Sequence, residues 1–243
     1  MADGVSEIAD VVILCGGRGT RLQEHTQSIP KPLVEIGGVP IVWHVIQIYA
    51  AQGLRRFVLC TGYKGNLIEE YVASQEWPPG VEVRCVDTGE DTPTGGRIRQ
   101  AGELLGDRPF CATYADGVAD IDLARLIDSH RSHGGLATVT VVRPELQFGI
   151  ADLDGDGRIR GFHEKPRSEH WVNGGFFCFE HGALGYMAED SVLEREPLEH
   201  LATAGQLHAY RHDGFWECMD TYKDAVLLND IWAAGGAPWK VWD

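Results

Sequence analysis

Positive charge is scarce in this sequence. Lys and Arg number 21 against 36 Asp and Glu, which leaves a net charge of −15. Nucleic acids and anionic membrane surfaces are both bound through basic surface, so this balance argues against either partner. Long apolar runs are missing as well. No stretch approaches the roughly 18 apolar residues of a membrane-spanning helix. Residues 1–10 carry acidic side chains and lack the basic-then-apolar order of a secretory leader, so a cytoplasmic protein is expected. Paired cysteines are a third absence. The six cysteines, at 15, 60, 85, 111, 178 and 218, include no C-x-x-C. Most sit in apolar runs such as Val12-Ile-Leu-Cys15 and Phe57-Val-Leu-Cys60, and they read as reduced, buried thiols. A disulfide framework and a zinc site are both disfavoured. Internal repeats and low-complexity linkers are absent too.

What is present is enough apolar residue (44%) to build a core, in a pattern that alternates strand and helix. Strands are expected at 11–15, 57–61, 81–86, 110–114 and 136–142. Helices are expected at 41–52 after Pro40, from a capping box at Asn66 and Glu69 through Ser74, near 96–105 and near 122–132. Such alternation implies a doubly wound α/β fold with a mostly parallel sheet and helices on both faces. Ligands then bind beyond the carboxyl ends of the strands. Residues from about 144 onward read as β-rich, with strands near 148–153, 158–163, 175–180 and 207–211, then a helix from Thr221 to Ala233. One continuous domain over 1–243 is expected.

The most informative segment is Val11-Val-Ile-Leu-Cys-Gly-Gly-Arg-Gly-Thr-Arg-Leu22, followed by Ile29-Pro-Lys-Pro-Leu33. A buried strand runs into a glycine loop with two arginines. Glycines let backbone N–H groups approach a phosphate, and the cations supply charge. Arg18, Arg21 and Lys31 against Glu24 make the segment +2 within an acidic chain, which points to a small polyanion. Two familiar phosphate loops fail on spacing. The dinucleotide fingerprint started from Gly17 meets Leu22 where it needs glycine. The P-loop started from Gly16 meets Arg21 where it needs glycine.

Gly16-Gly-Arg-Gly-Thr-Arg-Leu22 with Pro30-Lys-Pro32 resembles the signature of the sugar-phosphate nucleotidyltransferases. Further segments are similar to the glucose-1-phosphate cytidylyltransferase group. They are Val86-Asp-Thr-Gly89, Thr94-Gly-Gly-Arg97, Tyr114-Ala-Asp-Gly117, Phe162-His-Glu-Lys-Pro166, Val172-Asn-Gly-Gly-Phe-Phe177, Gly214-Phe-Trp-Glu-Cys-Met-Asp-Thr221 and Ala237-Pro-Trp-Lys-Val-Trp242. The resemblance spans nearly the whole chain. It implies a Rossmann-like nucleotidyltransferase fold, with a nucleotide-binding portion over about 1–143 and a β-rich sugar-phosphate-binding portion over about 144–243.

It also implies a reaction, in which CTP and a sugar 1-phosphate, glucose 1-phosphate first, give a CDP-sugar and pyrophosphate. Catalytic roles fall to Arg21, Lys31 and Lys165, and nucleotide binding to Gly16, Gly17, Arg18, Gly19, Thr20, Thr88, Gly96 and Arg97. Sugar-phosphate binding falls to Glu164, Lys165, Asn173 and Gly174. Asp116 and Asp220 are implied as ligands of Mg²⁺. Physical sense supports a divalent ion, because like charges about 4 Å apart repel by roughly 4 kcal/mol at an effective dielectric near 20. A different nucleotide, another sugar or cyclitol phosphate, an inactive nucleotide-sugar-binding regulator and a homo-oligomer all stay open.

Three features invite other readings. Asp152-x-Asp154-x-Asp156-Gly157 begins like a calcium loop, but its twelfth position is His163 rather than Glu, so a hairpin turn is expected. His130 and His133 lack a third metal ligand at suitable spacing and are read as placed for the negative end of a helix dipole. Trp43 and Trp232 are expected in the core, and Trp216 at a pocket. Ala115 stands where the group has glycine, a small departure beside Asp116.

Overall fold

The computed structural model describes residues 8, 10–17 and 29–242. Arg18, Gly19, Thr20 and Arg21 of the glycine loop therefore lie outside the described residues. In chain order the elements begin with β1 (Val11–Leu14), β2 (Glu35–Ile36), β3 (Val39–Pro40), α1 (Ile41–Ala50), β4 (Arg56–Thr61), α2 (Gly65–Ser74), β5 (Glu82–Asp87) and α3 (Thr94–Gly102). They continue with β6 (Phe110–Tyr114), β7 (Gly117–Ala119), α4 (Leu123–His133), β8 (Ala137–Val142), β9 (Ile150–Leu153) and β10 (Ile159–His163). The last are β11 (Val172–Phe179), α5 (Glu196–Thr203), β12 (Leu207–Arg211), β13 (Trp216–Cys218) and α6 (Tyr222–Ala233).

Seven strands form one sheet in the order β12-β8-β11-β6-β1-β4-β5. Only β11 runs against its neighbours, pairing antiparallel with both β6 and β8. The fold is the expected α/β type with a mixed, mostly parallel sheet. Strand alternation divides the core in two. Val11 and Ile13 turn to one face, with buried residues of α1, α4 and α6. Val12 turns to the other, with Ile98 and Ala101 of α3 and Leu201 of α5. β11 is apolar on both faces, with Phe176 and Cys178 on the first and Phe177 and Phe179 on the second. A strand buried on both sides reads as a continuous apolar run, as this one does.

The chain beyond 144 contributes β11 and β12 to the main sheet. The segment 237–242 returns to α1. There Trp239 is fully buried, and its indole N–H donates to His44 Nδ1 at 3.3 Å, while His44 Nε2 lies 2.8 Å from the Ile36 carbonyl. Trp43 and Trp232 both stack edge-on against His44, a packing rather than a ligand role.

Three local expectations need correcting. Asn66 and Glu69 do not cap α2. Its N-cap is Lys64, held at φ 52°, with no side-chain capping bond. The capping box lies instead at α6, where Thr221 accepts from Asp224 N and the Asp224 carboxylate accepts from Thr221 N. His130 and His133 do not act as cations at a helix end. His130 is buried with Nδ1 2.8 Å from Thr138 Oγ1, and burial, with neighbouring His133, Arg131 and His208, pushes it down to about 4. Burial likewise lowers His133, so both rings are neutral at pH 7. β7, β13 and α5 were not anticipated. Asp152 lies in β9, and residues 154–158 form the turn of the β9–β10 hairpin, with Asp154 Oδ1 accepting from the Asp156 and Arg158 amides.

Candidate active site

The parallel strands β1, β4, β5 and β6 deliver their carboxyl ends to one side of the sheet, and the cleft opens there. Gly16 and Gly17 follow β1, Thr88 follows β5, and Asp116 follows β6. One lobe of the cleft, about 450 Å³, is lined by Gly16, Gly17, Lys31, Thr94, Arg97 and Asp116 among others. A second lobe of about 190 Å³ is lined by Asn173, Gly174, Gly175, Trp216, Cys218 and Asp220. Tyr114 and Asp116 belong to both walls.

Asp116 and Asp220 are 104 positions apart, and the ribbon of β7 and β13 brings them together. The two strands pair antiparallel with Gly117 opposite Cys218. Asp116 directly precedes one strand and Asp220 closely follows the other. The Met219 amide, donating to the Asp116 carbonyl at 2.9 Å, closes the ribbon end. Asp220 is held further by α6, because its amide donates to the Asp224 carboxylate at 3.1 Å.

Lys31 sits between the two carboxylates. Its ammonium donates to Asp116 Oδ2 at 2.5 Å and to Asp220 Oδ1 at 2.8 Å. The buried prolines Pro30 and Pro32 flank it, and residues 31–33 form one 3-10 turn, so the lysine enters the cleft from a rigid base. Burial works against its charge. Asp116, through charge and hydrogen bond, and Asp220 outweigh that and hold the ammonium above the ordinary lysine range.

Asp116, Asp220 and Cys218 offer ligand atoms within 4.8 Å of one another. Carboxylates that already converge on one cation suit a hard divalent ion whose shell is completed by water and phosphate oxygens. The Cys218 thiol suits it poorly. Burial, then Asp116 and Asp220, push that thiol well up, so it stays neutral.

Arg97 and Thr88 take an unexpected position. Arg97 is buried, and its guanidinium donates to the carbonyls of Thr61 (2.7 Å), Gly16 (3.2 Å) and Glu90 (3.1 Å) and to Thr88 Oγ1 (2.6 Å). The Thr88 hydroxyl donates onward to the Thr61 carbonyl at 2.8 Å. Arg97, in the wall of the first lobe, thus braces the loop after β1, and Thr88 in turn supports Arg97. Gly16 must be glycine for this approach, since a Cβ there would lie 2.0 Å from Arg97 Nη1. Gly96 lies in the first turn of α3, where its amide donates to the Ser191 carbonyl at 3.3 Å.

On the other side, Asn173 and Gly174 stand at an irregularity of β11, where pairing with β8 shifts between Asn173 and Phe177. Gly175 adopts φ 80° there, and Asn173 Oδ1 accepts from its amide at 2.8 Å. Trp216, the tryptophan expected at a pocket, donates its indole N–H to the Gly174 carbonyl at 2.7 Å. Glu164 and Lys165 are exposed after β10 and line neither lobe, and Lys165 carries a left-handed φ of 45°.

Two structural roles had no counterpart in the sequence reading. Asp224 anchors Asp220, and a T-x-x-D capping signal at 221–224 could have revealed it. Glu194, hydrogen-bonded to Tyr114 and Thr94, sits in no recognisable motif.

The nucleotidyl transferase family model matches residues 10–222, and the chain belongs to that family. The chain is 42% identical over 252 residues to the probable glucose-1-phosphate cytidylyltransferase of Bacillus subtilis (strain 168), a match covering 95% of this chain and 99% of that one. It is 41% identical over 259 residues to the glucose-1-phosphate cytidylyltransferase of Salmonella typhi, covering 96% and 99%. The fold is similar to the crystal structure of HddC from Yersinia pseudotuberculosis, with TM-score 0.74 and 24% identity over 93% of this chain and 100% of that one. Among the described residues, no helix is long and apolar enough to cross a membrane.

Proposed function

We propose that this protein joins CTP to a sugar 1-phosphate, glucose 1-phosphate first, giving a CDP-sugar and pyrophosphate. The observation that carries this reading is the Lys31-bridged pair of Asp116 and Asp220, standing where the two lobes of the cleft meet. A nucleoside triphosphate and a sugar phosphate bring several negative charges to one point, and the reacting phosphorus belongs where cations gather. The choice of cytosine and glucose is supported by the near full-length similarity to the Bacillus subtilis and Salmonella typhi proteins.

A phosphate oxygen of the sugar 1-phosphate attacks the α-phosphorus in line. One P–O bond forms, the α–β bridge breaks, and pyrophosphate leaves with the bridging oxygen. The attacking oxygen is already anionic, so no protein base is needed, and catalysis is positioning plus charge stabilisation. Asp116 and Asp220 would hold Mg²⁺, which would supply positive charge to the phosphates. Gly16, Gly17, Gly19 and Thr20 hold the phosphate chain through their backbone. Arg97 and Thr88 keep that loop in shape, and Gly96 lets the start of α3 pack close against the Glu189 carbonyl. Arg21, with Arg18, holds the departing pyrophosphate. Lys31 offsets charge at the α-phosphate, and Lys165 steadies the incoming phosphate. Glu164, Asn173 and Gly174 receive sugar hydroxyls.

The test is pyrophosphate release with Mg²⁺ across CTP, UTP, dTTP, GTP and ATP, each paired with a panel of sugar 1-phosphates. The expected best pair is CTP with glucose 1-phosphate. Best turnover with another nucleotide overturns the cytidylyl assignment. Nucleotide-sugar binding without any release overturns catalysis and leaves a regulatory binding protein. Asp220→Asn is expected to remove most turnover while keeping the fold by circular dichroism. Unchanged turnover refutes its metal role.

A further inference from the structure

Glu194 lies on the loop that enters α5, and its carboxylate ties two walls of the cleft together. Oε1 accepts a hydrogen bond from the Tyr114 hydroxyl at the end of β6. Oε2 accepts one from Thr94 Oγ1 at the start of α3, at 2.8 Å. On the far side, Asn173 Nδ2 donates to the Tyr114 oxygen at 3.1 Å, and Asn173 Oδ1 accepts from Gly175 N at 2.8 Å. The result is a continuous chain from the first turn of α3 to the irregularity in β11.

That chain has a direction, and it is set from both ends: by Glu194, which only accepts, and by the Gly175 amide, which only donates. An ionised carboxylate only accepts, so both hydroxyls must turn their one proton toward it. The Tyr114 oxygen then has only lone pairs to offer, and it can face only the NH₂ end of Asn173. The amide oxygen is left for Gly175 N. The two ends of an amide are nearly the same in shape, so packing alone does not choose between them; the Gly175 N–H selects the oxygen, and the Tyr114 oxygen accepts from the NH₂ that remains. The ring of Tyr114 has little freedom to escape this role. It packs edge-on against Phe177, with centroids 5.8 Å apart. It also lies so close to Gly175 that a Cβ there would come within 2.6 Å of Cδ2.

We propose that Glu194 is a positioning residue for the sugar-phosphate lobe, fixing the Asn173 amide and the Gly175 irregularity through the Tyr114 hydroxyl. Through Thr94 the same carboxylate ties that lobe to the helix beside the nucleotide lobe. The inference rests on the reading of Asn173 and Gly174 as sugar-facing. A general-base role is not needed, because the attacking phosphate oxygen carries its own charge. A purely stabilising role fits poorly, because a contact accepted by a solvent-exposed carboxylate adds little to folding.

Glu194→Gln tests this. The amide keeps the shape of the side chain but can donate as well as accept, so the Tyr114 hydroxyl is free to turn its proton toward the Asn173 NH₂ and oppose it. The KM for the sugar 1-phosphate should rise about tenfold, the value of one misdirected hydrogen bond, with the KM for CTP within about twofold of wild type. Tyr114→Phe should give a similar shift, and the double variant should be no worse than either single one. Equal shifts in both KM values, multiplying effects in the double variant, or no change at all overturns the proposal. A second readout does not depend on turnover. The Asn173 side-chain NH₂ signals, assigned by their loss in Asn173→Ala, should be a sharp pair in wild type and should shift and broaden in Glu194→Gln. Unchanged signals overturn the proposal. Wild-type protein that releases no pyrophosphate from any substrate pair would overturn the catalytic reading, while the amide signals still decide the role of Glu194.

Discussion

Lys31 occupies the ground that a divalent ion would need. Its ammonium holds both Asp116 and Asp220, so an ion entering between the carboxylates must displace it. Freed from the pair, the same ammonium can turn to a phosphate. On the proposed reading, Lys31 competes with Mg²⁺ in the free protein and assists it during turnover. This has an unusual signature. Lys31→Met should bind Mg²⁺ more tightly than wild type in the absence of nucleotide, by isothermal titration. Its turnover should nevertheless fall by about 10²–10³-fold, the scale of losing one charge-stabilising group. Weaker Mg²⁺ binding in the variant would mean that Lys31 organises the carboxylates instead of competing for them.

At the scale of elements, α6 links folding to the site. The Asp224 carboxylate accepts from Asp220 N, Thr221 N and Thr221 Oγ1, so the cap of the helix and the placement of Asp220 are one device. Asp224→Ala should cost about 1 kcal/mol by urea unfolding, the usual scale of a lost cap. It should also raise the Mg²⁺ concentration needed for half-maximal turnover. A stability loss with an unchanged Mg²⁺ requirement would separate the cap from the site. The elements that sequence patterns reveal are those with long periodic signals, and β1, β4, β6 and α1 stand close to where apolar spacing puts them. β7 and β13 are three residues each, too short for a period, so the ribbon that joins the aspartates is invisible until pairing is seen. Asp116 and Asp220 are legible as candidates only because their flanking segments resemble a family. The capping signal at Asn66 is outweighed at α2 by a left-handed Lys64, and the working box at Thr221 has the same spacing. Thr88 and Arg97 are legible as residues near the nucleotide lobe, but their burial beside the loop depends on β4, which only the fold supplies. Glu194 reaches Tyr114 across 80 residues of chain, with no local pattern to mark it.

For the molecule as a whole, the buried histidine on α4 sets an acid limit. His130 is held neutral, pushed down to about 4 by burial, by His133 and Arg131 on its own helix and by His208 on β12. The Glu180 carboxylate, 3.4 Å from Nε2, is the one acidic group paired with it. In the unfolded chain the ring titrates near 6.5. Protons therefore bind the unfolded state first, and stability contributed above about pH 6.5 is lost as pH falls toward 4. The loss from this group reaches at most about 3 kcal/mol. The difference in unfolding free energy between wild type and His130→Gln should shrink by that order across the window. A constant difference would show that the ring is not the titrating group.

The β7–β13 ribbon also has a consequence for synthesis. The glycine loop, Lys31 and Asp116 are synthesised more than a hundred residues before Asp220. A growing chain thus carries a nucleotide-facing surface long before it has the second carboxylate, and β11 and β12 of the central sheet also arrive late. On the proposed reading chemistry waits until β13 has paired with β7, so activity reports that the ribbon has formed and not merely that the glycine-rich segment is present.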